Sequence, residues 1–216
     1  MATTNNPSRE LILERIRAGL RVPVAAPQDV GPARPFFAAI ENPLERFQQE
    51  CKANLMELTI TGDAAASAQQ LASVLDTLPA GEIFVQDHPV LRKLVEAAGV
   101  KREIRWSSQG GPSEVSQATV TLAEALVAQT GSIFVSAACG GRGASVVAPC
   151  HIVYANTDQL VPDLQTALGD AKRAGILANN SYACMISGSS RTADIEKILV
   201  QGAHGPIRLA VILERV

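Results

Sequence analysis

Apolar positions in the first half of the chain form blocks that predict strands and helices in alternation. The apolar run at residues 83–85 predicts a short strand, whereas Leu71, Leu75 and Leu78 share one side of a helix. In this half the predicted strands are residues 56–60, 82–86 and 103–106, and the predicted helices are residues 42–55, 63–78 and 88–98. Strands that alternate with helices are typical of an α/β fold, in which helices cover a mainly parallel sheet.

Beyond Gly110 and Gly111 the strand candidates lie closer together. The predicted strands here are residues 118–122, 132–137, 150–155, 184–186 and 209–213, and the predicted helices are residues 161–168 and about 192–201. Several of these strands are joined by short connections, so the second half of the chain lacks the regular alternation of strands and helices seen in the first half.

The first 35 residues are predicted to form an arm in front of the α/β domain at residues 36–216. Residues 8–20 predict an amphipathic helix with Ile12 and Ile16 on one face. Four prolines within residues 21–35 then predict an extended linker. Such a helix can pack either on its own domain or on a partner.

The charge balance argues against a nucleic-acid partner. The chain has 19 Lys and Arg against 21 Asp and Glu, and only one Trp and two Tyr for stacking on bases. It begins with polar residues, with no apolar run after a basic start, and no segment approaches the roughly 18 apolar residues of a membrane span. We therefore expect a cytoplasmic chain without a signal peptide or a membrane span.

The cysteine spacing predicts no metal centre. The cysteines are Cys51, Cys139, Cys150 and Cys184. No two of them lie within four residues of each other, whereas iron–sulfur and zinc-ribbon ligands come in close pairs. We expect buried thiols, and neither a metal nor a cofactor held by this chain.

A glycine-rich segment at residues 139–145, which we call the glycine loop, follows the strand predicted at residues 132–137. Three glycines around Arg142 let the backbone turn tightly and aim N–H groups at one point, as in a backbone nest that holds an anion. Arg142 can add a bidentate grip on a carboxylate or phosphate. The alternative is a plain glycine-rich turn with Arg142 facing solvent.

The glycine loop does not match a dinucleotide-binding fingerprint. Val146 stands where the third glycine of that motif belongs, and the chain has no phosphate-loop lysine. The motifs therefore give no support for nicotinamide or nucleotide binding.

A second segment, residues 187–191, which we call the serine loop, joins small hydroxyl residues to the strand predicted at residues 184–186. Gly188, Ser189 and Ser190 stand in front of the helix that is predicted from residue 192. Their hydroxyl groups can cap that helix, but the free N–H groups of a helix start can equally bind a substrate's negative charge.

Charged residues follow the serine loop closely. Thr192 can also cap the predicted helix, and Asp194 suits its positive end. Arg191 does not fit this interpretation, because the helix dipole disfavours a cation in the first turn. The misfit of Arg191 predicts an anion-binding site.

Each histidine has a structural and a functional interpretation. His204 lies in a tight turn at residues 202–206, where it either satisfies its ring locally or transfers protons in the same cleft. His151 stands at the head of an apolar strand, where a packed histidine is the more common case. His88 precedes Pro89 at the start of a predicted helix.

The run from Ser187 to Pro206 resembles the C-terminal signature of the LUD-domain family, most closely its lactate-utilisation C proteins. The matching positions are Gly188, Ser190 to Glu196, Leu199, Val200, Gly202 and His204 to Pro206. The likeness extends back through Ala123-Glu124-Ala125, Thr130-Gly131, Arg142, Pro149-x-His151-Ile152-Val153 and Gln159-x-Val161-Pro162-Asp163-Leu164. It therefore covers about residues 119 to 213.

The resemblance implies a fold and a biological setting. The fold would be the open, mostly parallel α/β sheet shared by ribose-5-phosphate isomerase, glucosamine-6-phosphate deaminase and coenzyme A transferases, with a cleft at the carboxyl ends of the strands. The setting would be the oxidation of L-lactate to pyruvate alongside two partner proteins that carry iron–sulfur clusters. Because this chain shows no flavin, haem or cluster signature, the redox step would take place in a partner.

Our leading hypothesis is a subunit whose cleft binds a small carboxylate or phosphate. The candidate ligand-binding residues are Thr130, Gly131, Arg142, Gly188, Ser189, Ser190, Arg191, Thr192 and Asp194. Glu124 and His204 are the candidates for proton transfer. Family members often carry a glutamate before the Thr-Gly pair, and Gln129 in its place points to a hydrogen-bonding role or to a divergent member.

Two other hypotheses stay open. The chain can be a stand-alone isomerase or a coenzyme A transferase, and the transferase would need Glu124 as its nucleophile. It can also be a structural assembly subunit that docks through the helix at residues 8–20.

Overall fold

The computed structural model describes residues 7–22, 38–193, 199–201 and 205–216. The chain divides into two units, Met1–Ala38 and Ala39–Val216. The first unit contains α1 (Pro7–Leu20), which confirms the predicted helix, and its Glu10 and Arg17 lie at the ends that the helix dipole favours. Residues 23–37 of the predicted proline-rich linker lie outside the described residues.

Strands and helices alternate through the first half of the second unit, as predicted. The other helices are α2 (Pro43–Ala53), α3 (Ala64–Asp76), α4 (Pro89–Ala97), α5 (Leu164–Arg173) and α6 (Ile176–Asn179). The strands are β1 (Glu57–Thr61), β2 (Ile83–Val85), β3 (Ile104–Trp106), β4 (Ala118–Leu122), β5 (Ala125–Val127), β6 (Ser132–Ser136), β7 (Cys150–Asn156), β8 (Leu160–Val161), β9 (Ala183–Ile186), β10 (Arg191–Ala193), β11 (Leu199–Gln201) and β12 (Arg208–Glu214).

The helices begin where the sequence places capping side chains. Asn42, Asp63 and Asp163 each accept a hydrogen bond from a backbone N–H in the first turn of α2, α3 and α5. His88 does the same for α4, since its Nδ1 accepts from the Val90 N–H at 3.3 Å. His88 therefore lies where the sequence predicted it, at the start of a helix.

In the described part of the chain, six parallel strands form the larger sheet in the order β1-β12-β7-β4-β2-β3. This confirms the predicted α/β class and the mostly parallel sheet. β12 lies between β1 and β7, with Glu57 opposite Ala210 on one side and Ala210 opposite Ile152 on the other.

A smaller sheet of described strands, in the order β8-β5-β6-β9, carries the rest of the second half. β6 runs antiparallel to both β5 and β9. The sequence did not predict β5 or a second sheet, because only Ala123 and Glu124 separate β4 from β5 and neither residue signals a turn.

The two sheets pack face to face. Ile152 and Tyr154 of β7 point into the core beneath α3 and α4, whereas Val153 and Ala155 point into the core shared with α2 and the smaller sheet. On the far side of the smaller sheet, Phe134 packs with Ala171 of α5 and with other apolar residues. Apart from buried polar residues such as Thr119, Thr121 and His151, the interiors of the central strands are apolar, because both faces of the larger sheet are covered.

The helix predicted at about residues 192–201 is wrong. β10 and β11 form an antiparallel pair there, with Arg191 opposite Gln201. Ile195, Ile198 and Leu199 have helical spacing in the sequence, but a short apolar pattern does not separate a helix from strands, and β-branched residues favour strands.

Candidate functional site

A cavity of about 290 Å³, which we call the inter-sheet cavity, is lined by strands of both sheets. Its walls include the serine loop, β9, the end of the glycine loop at Ser145, and the first residues of β7 and β12, such as His151 and Leu209. It therefore lies at the amino ends of β7 and β12, not at the carboxyl ends that the family resemblance implied. No charged side chain lines the inter-sheet cavity among the described residues.

His151 is fully buried in the wall of this cavity. Its Nε2 lies 2.9 Å from the Thr121 hydroxyl, while its Nδ1 has no hydrogen-bond partner. Burial lowers the pKa of the imidazole from 6.5 to about 4, so the ring is neutral near pH 7.

The Ser145 hydroxyl is a second buried atom on the cavity wall without a hydrogen-bond partner. Burial raises the pKa of the nearby Tyr182 phenol and the Cys184 thiol adds to the effect, whereas the Ser145 hydroxyl works against it. Arg142 lies over the Tyr182 ring, with its guanidinium carbon 5.2 Å from the ring centre.

A chain of three hydroxyl groups leads from the cavity into the smaller sheet. The Ser187 hydroxyl, on the cavity wall, lies 2.6 Å from the buried Ser132 hydroxyl, which lies 2.6 Å from that of Thr130. The Thr130 carbonyl accepts from the Asn54 side-chain amide at 2.9 Å. Thr130 is therefore connected to the cavity through Ser132 without lining it.

The serine loop is held against the end of α2. Arg191 donates from Nη2 to the Asn54 carbonyl at 2.9 Å. Gly188 has a φ of +100°, and a Cβ at this position would lie 2.5 Å from the same carbonyl oxygen. Gly131 is equally confined, since its Cβ would lie 2.6 Å from the Cβ of Glu50. Glycine is required at both positions because backbone and side chains approach so closely.

The glycine loop uses much of its backbone for its own turns. The N–H groups of Cys139, Gly141 and Ala144 donate to carbonyl groups within or just before the loop. A Cβ on Gly140 would lie 3.1 Å from the Phe84 ring, and the Arg142 side chain is exposed. This geometry favours the turn interpretation of the glycine loop over an anion-binding nest.

Glu124 lies beyond the carboxyl end of β4 and does not line the inter-sheet cavity. Its Oε1 accepts from the Ser136 hydroxyl at 2.5 Å and from the Cys139 thiol at 3.6 Å. Burial, with a smaller effect from Glu124, raises the pKa of that thiol to about 12. The geometry gives no support for Glu124 as a nucleophile in this cavity.

Gln129 has a hydrogen-bonding role. Its Oε1 accepts from the Leu164 N–H at 3.3 Å, at the start of α5. A side chain in this position stabilises the helix start and does not reach the inter-sheet cavity.

The predicted site residues of the serine-loop region fall into three groups. Gly188 and Ser190 line the cavity, whereas Ser189 is buried and does not line it. Arg191 begins β10 and Thr192 belongs to the same strand, so neither lies in a helix and the expected conflict with a helix dipole disappears. Asp194 and His204 lie outside the described residues.

Sequence analysis did not single out Ser145, Tyr182 or Ser187. Ser145 ends the glycine loop and Ser187 begins the serine loop, so the motifs beside them in the sequence could have pointed to both residues. Tyr182 lies in neither loop, and no sequence motif points to it. Among the described residues, no three His, Cys, Asp or Glu side chains lie together as a metal site would need. No described helix has the length and apolar character to cross a membrane.

Comparison with known proteins identifies a family. The LUD domain model matches residues 44–213. "Lactate utilization protein C" of Deinococcus radiodurans is 33% identical over 98 residues, which are 44% of this chain and 45% of that protein. The protein of the same name from Halalkalibacterium halodurans is 28% identical over 135 residues, 61% of this chain and 52% of that one.

The match to a solved structure concerns the fold. A crystal structure of a DUF162 family protein from Deinococcus radiodurans covers 80% of this chain and 96% of its own, with a TM-score of 0.62 and 20% identity. At this identity the likeness shows the shared α/β fold alone. The chain spans about half the length of the curated relatives that it matches.

Proposed function

Because the chain belongs to the LUD-domain family, we propose that it takes part in lactate utilisation as a subunit that binds a small carboxylate in the inter-sheet cavity. The oxidation of L-lactate to pyruvate would take place on iron–sulfur clusters of partner subunits. The names of its relatives support the lactate-utilisation setting. The partners follow from the family resemblance.

The single observation that carries the binding proposal is the inter-sheet cavity. Its volume of about 290 Å³ lies near the lower bound of small-ligand pockets, roughly 300 Å³, so it suits a metabolite of a few carbon atoms. Polar groups at His151, Ser187 and Ser190 share its wall with apolar residues, which is the usual mixture in a ligand site.

Two arginines border the cavity without lining it. Arg142 stacks on Tyr182, and the Arg191 guanidinium would lie 2.9 Å from a Cβ built on Gly188. Cations placed at the border attract an anionic ligand while the interior stays free of buried charge. Arg191 is the stronger candidate for a direct contact with a carboxylate, because it belongs to the loop that forms the cavity wall.

Titration of the full chain with L-lactate, pyruvate and ribose 5-phosphate tests the binding proposal. We expect the three-carbon acids to shift the amide resonances of Gly188, Ser190 and His151 in two-dimensional NMR spectra. Arg191→Met is expected to weaken binding about tenfold, the effect of one charge-assisted hydrogen bond. The matched control is Arg173→Met, because Arg173 is exposed on α5. Unchanged spectra with both acids would contradict the proposal.

The partner proposal has its own experiment. A tagged chain purified from its native host grown on L-lactate is expected to bring down proteins that contain iron and acid-labile sulfide. A purification from cells grown on another carbon source serves as the control. Recovery of the chain without any iron-containing protein under both conditions would contradict this part alone.

A further inference from the structure

The outer edge of β9 in the smaller sheet has no pairing strand in the described part of the chain. β9 pairs with β6 on its other side and ends the order β8-β5-β6-β9. The Tyr182 carbonyl accepts from the Ala137 N–H at 2.9 Å, and in an antiparallel pair alternate residues bond to the partner strand. Ala183 and Met185 therefore direct their backbone N–H and C=O groups outward. Among the described residues, these groups have one weak bond, from the Cys184 thiol to the Met185 carbonyl at 3.5 Å.

Of the sheet edges in the described residues, β9 has the least protection. Unpaired edges recruit other chains, and proteins usually protect them with charged residues, with proline or by keeping the strand very short. β1 carries Glu57, β3 carries Arg105, and β8 has only two residues before Pro162. β9 has the sequence Ala-Cys-Met-Ile, whose first residue is exposed and whose other three are partly exposed. An open apolar edge of this kind suits a strand that another chain completes.

Cations lie near both ends of this edge and select the kind of chain that can add to it. Arg142 lies over the ring of Tyr182, the residue before β9, with its guanidinium carbon 5.2 Å from the ring centre. Arg191 follows the serine loop at the other end of β9, and its guanidinium donates to a backbone carbonyl. Neither arginine forms an ion pair with a described residue. Both charges are therefore available to an acidic partner.

We propose that an extended acidic segment of a partner protein adds to the smaller sheet as a strand beside β9. Its backbone bonds to the outward groups of Ala183 and Met185. Carboxylates near its two ends meet Arg142 and Arg191. The inter-sheet cavity, which is lined in part by residues of β9, leaves room beside the edge for a small apolar side chain. This inference goes beyond the proposed function, because it holds whether or not a metabolite binds in the cavity.

A second copy of the chain is a less suitable occupant of the edge. Two β9 strands side by side would bring Arg142 and Arg191 of both copies to one seam, where like charges repel each other. An acidic segment neutralises the same cations. The charge around β9 therefore favours a different protein over self-association.

NMR titration of the full chain with two synthetic peptides tests the charge preference. The probes are N-acetylated, C-amidated peptides of the sequences Glu-Val-Thr-Val-Glu and Lys-Val-Thr-Val-Lys. We expect the acidic peptide to shift the amide resonances of Ala183 and Met185 and to bind about tenfold more tightly than the basic one. Equal affinity for both peptides, or no shift in β9 with either, would overturn the proposal.

A proline substitution tests the backbone pairing. Ala183→Pro removes an outward N–H and keeps the bonds between β9 and β6, since proline is tolerated where the N–H faces away from the sheet. It is expected to weaken binding of the acidic peptide about fivefold, the effect of one backbone hydrogen bond. Ala183→Val is the matched control, because it keeps the N–H and should bind as the unmodified chain does. Equal affinities of the two variants would contradict pairing at β9 and refute the proposal.

N-methylated peptides cover the case in which Ala183→Pro fails to fold. One acidic peptide carries N-methyl groups on both valines and another carries one on the threonine, so they block opposite edges of the extended peptide. We expect one of the two to bind as the parent peptide does and the other to lose binding. If both bind equally, the peptide does not pair as a strand and the proposal is wrong.

Sedimentation velocity of the chain without peptide tests the rival occupant. A monomer, or a dimer that Ala183→Pro leaves intact, agrees with the proposal. A dimer that Ala183→Pro dissociates and Ala183→Val does not would show that β9 pairs with a second copy, and the acidic partner would be refuted.

Discussion

The glycine loop and the serine loop look alike in sequence and do different things in the structure. Each follows an apolar strand and combines glycine with one arginine, Arg142 in the first and Arg191 in the second. The glycine loop donates backbone N–H groups to its own carbonyls and packs Gly140 near Phe84. The serine loop is held by α2 and supplies Ser187, Gly188 and Ser190 to the wall of the inter-sheet cavity, to which the glycine loop adds only its last residue, Ser145. The sequence motif therefore does not distinguish a structural turn from a binding site. The distinction depends on whether the polar groups of the loop bond within the loop or face a cavity.

The largest expected effect distinguishes two glycines of positive φ. Gly188→Ala should lower the free energy of unfolding by about 4 kcal/mol, because the new Cβ would add a steric clash with the Asn54 carbonyl to the strain of its backbone conformation. Gly141→Ala, with a φ of +87° and nothing within 4 Å of the new Cβ, should cost only about 1 kcal/mol. Urea unfolding of both variants measures the difference. Equal losses would show that Asn54 does not confine the serine loop.

The next largest expected effect is a pH-dependent loss of stability at His151, on the cavity wall beside the serine loop. The folded pKa of His151, about 4, is lower than the 6.5 of the unfolded chain. The unfolded state therefore binds the extra proton first, and the stability present above pH 6.5 is lost as the pH falls towards 4. Between pH 6.5 and pH 5 this loss should be on the order of 2 kcal/mol.

His151→Phe removes the titrating group and should flatten that part of the stability profile. Urea unfolding of the variant and the unmodified chain at pH 5, 6 and 7 gives the comparison. The prediction fails if both chains lose the same stability over this range.

A smaller effect compares the two arginines. Arg191→Met should cost about 1 kcal/mol, because it removes the hydrogen bond to the Asn54 carbonyl that ties the serine loop to α2. Arg142→Met should cost about 0.5 kcal/mol or less, since Arg142 is exposed and only stacks on Tyr182. Thermal unfolding of both variants shows which substitution lowers the stability more. The reverse order would mean that the glycine loop depends on its arginine more than the serine loop does.

The smallest expected effect has the opposite sign. Ser145→Ala removes a buried hydroxyl that has no partner, so the free energy of unfolding should stay the same or rise by about 0.5 kcal/mol. Urea unfolding without ligand provides the measurement. A clear loss of stability would show that Ser145 already has a partner, and the glycine loop would then end in a satisfied turn.

The sequence predicts the larger sheet well because its signals are local. Asn42, Asp63 and Asp163 mark helix starts, and the mostly apolar runs of β7 and β12 are typical of strands covered on both faces. It does not predict the smaller sheet. β5 follows β4 after two residues, and whether its pairing partner is β4 or β6 depends on contacts that no local pattern encodes.

The candidate site shows the same limit. Sequence analysis placed Gly188 and Ser190 in one loop, but it could not place them beside His151 or Tyr182, which come from other parts of the chain. The argument from Arg191 rested on a helix that is a strand. A buried atom without a hydrogen-bond partner, such as Nδ1 of His151, can be recognised only once the positions of all its neighbours are known.

The place of β12 in the larger sheet has a consequence for how the protein is made. This strand is the last of the described strands to leave the ribosome, yet it pairs with both β1 and β7. Until it emerges, β1 and β7 each present an unpaired edge, and such edges recruit other chains. Synthesis that stops before residue 208 should therefore yield chains that aggregate through these edges.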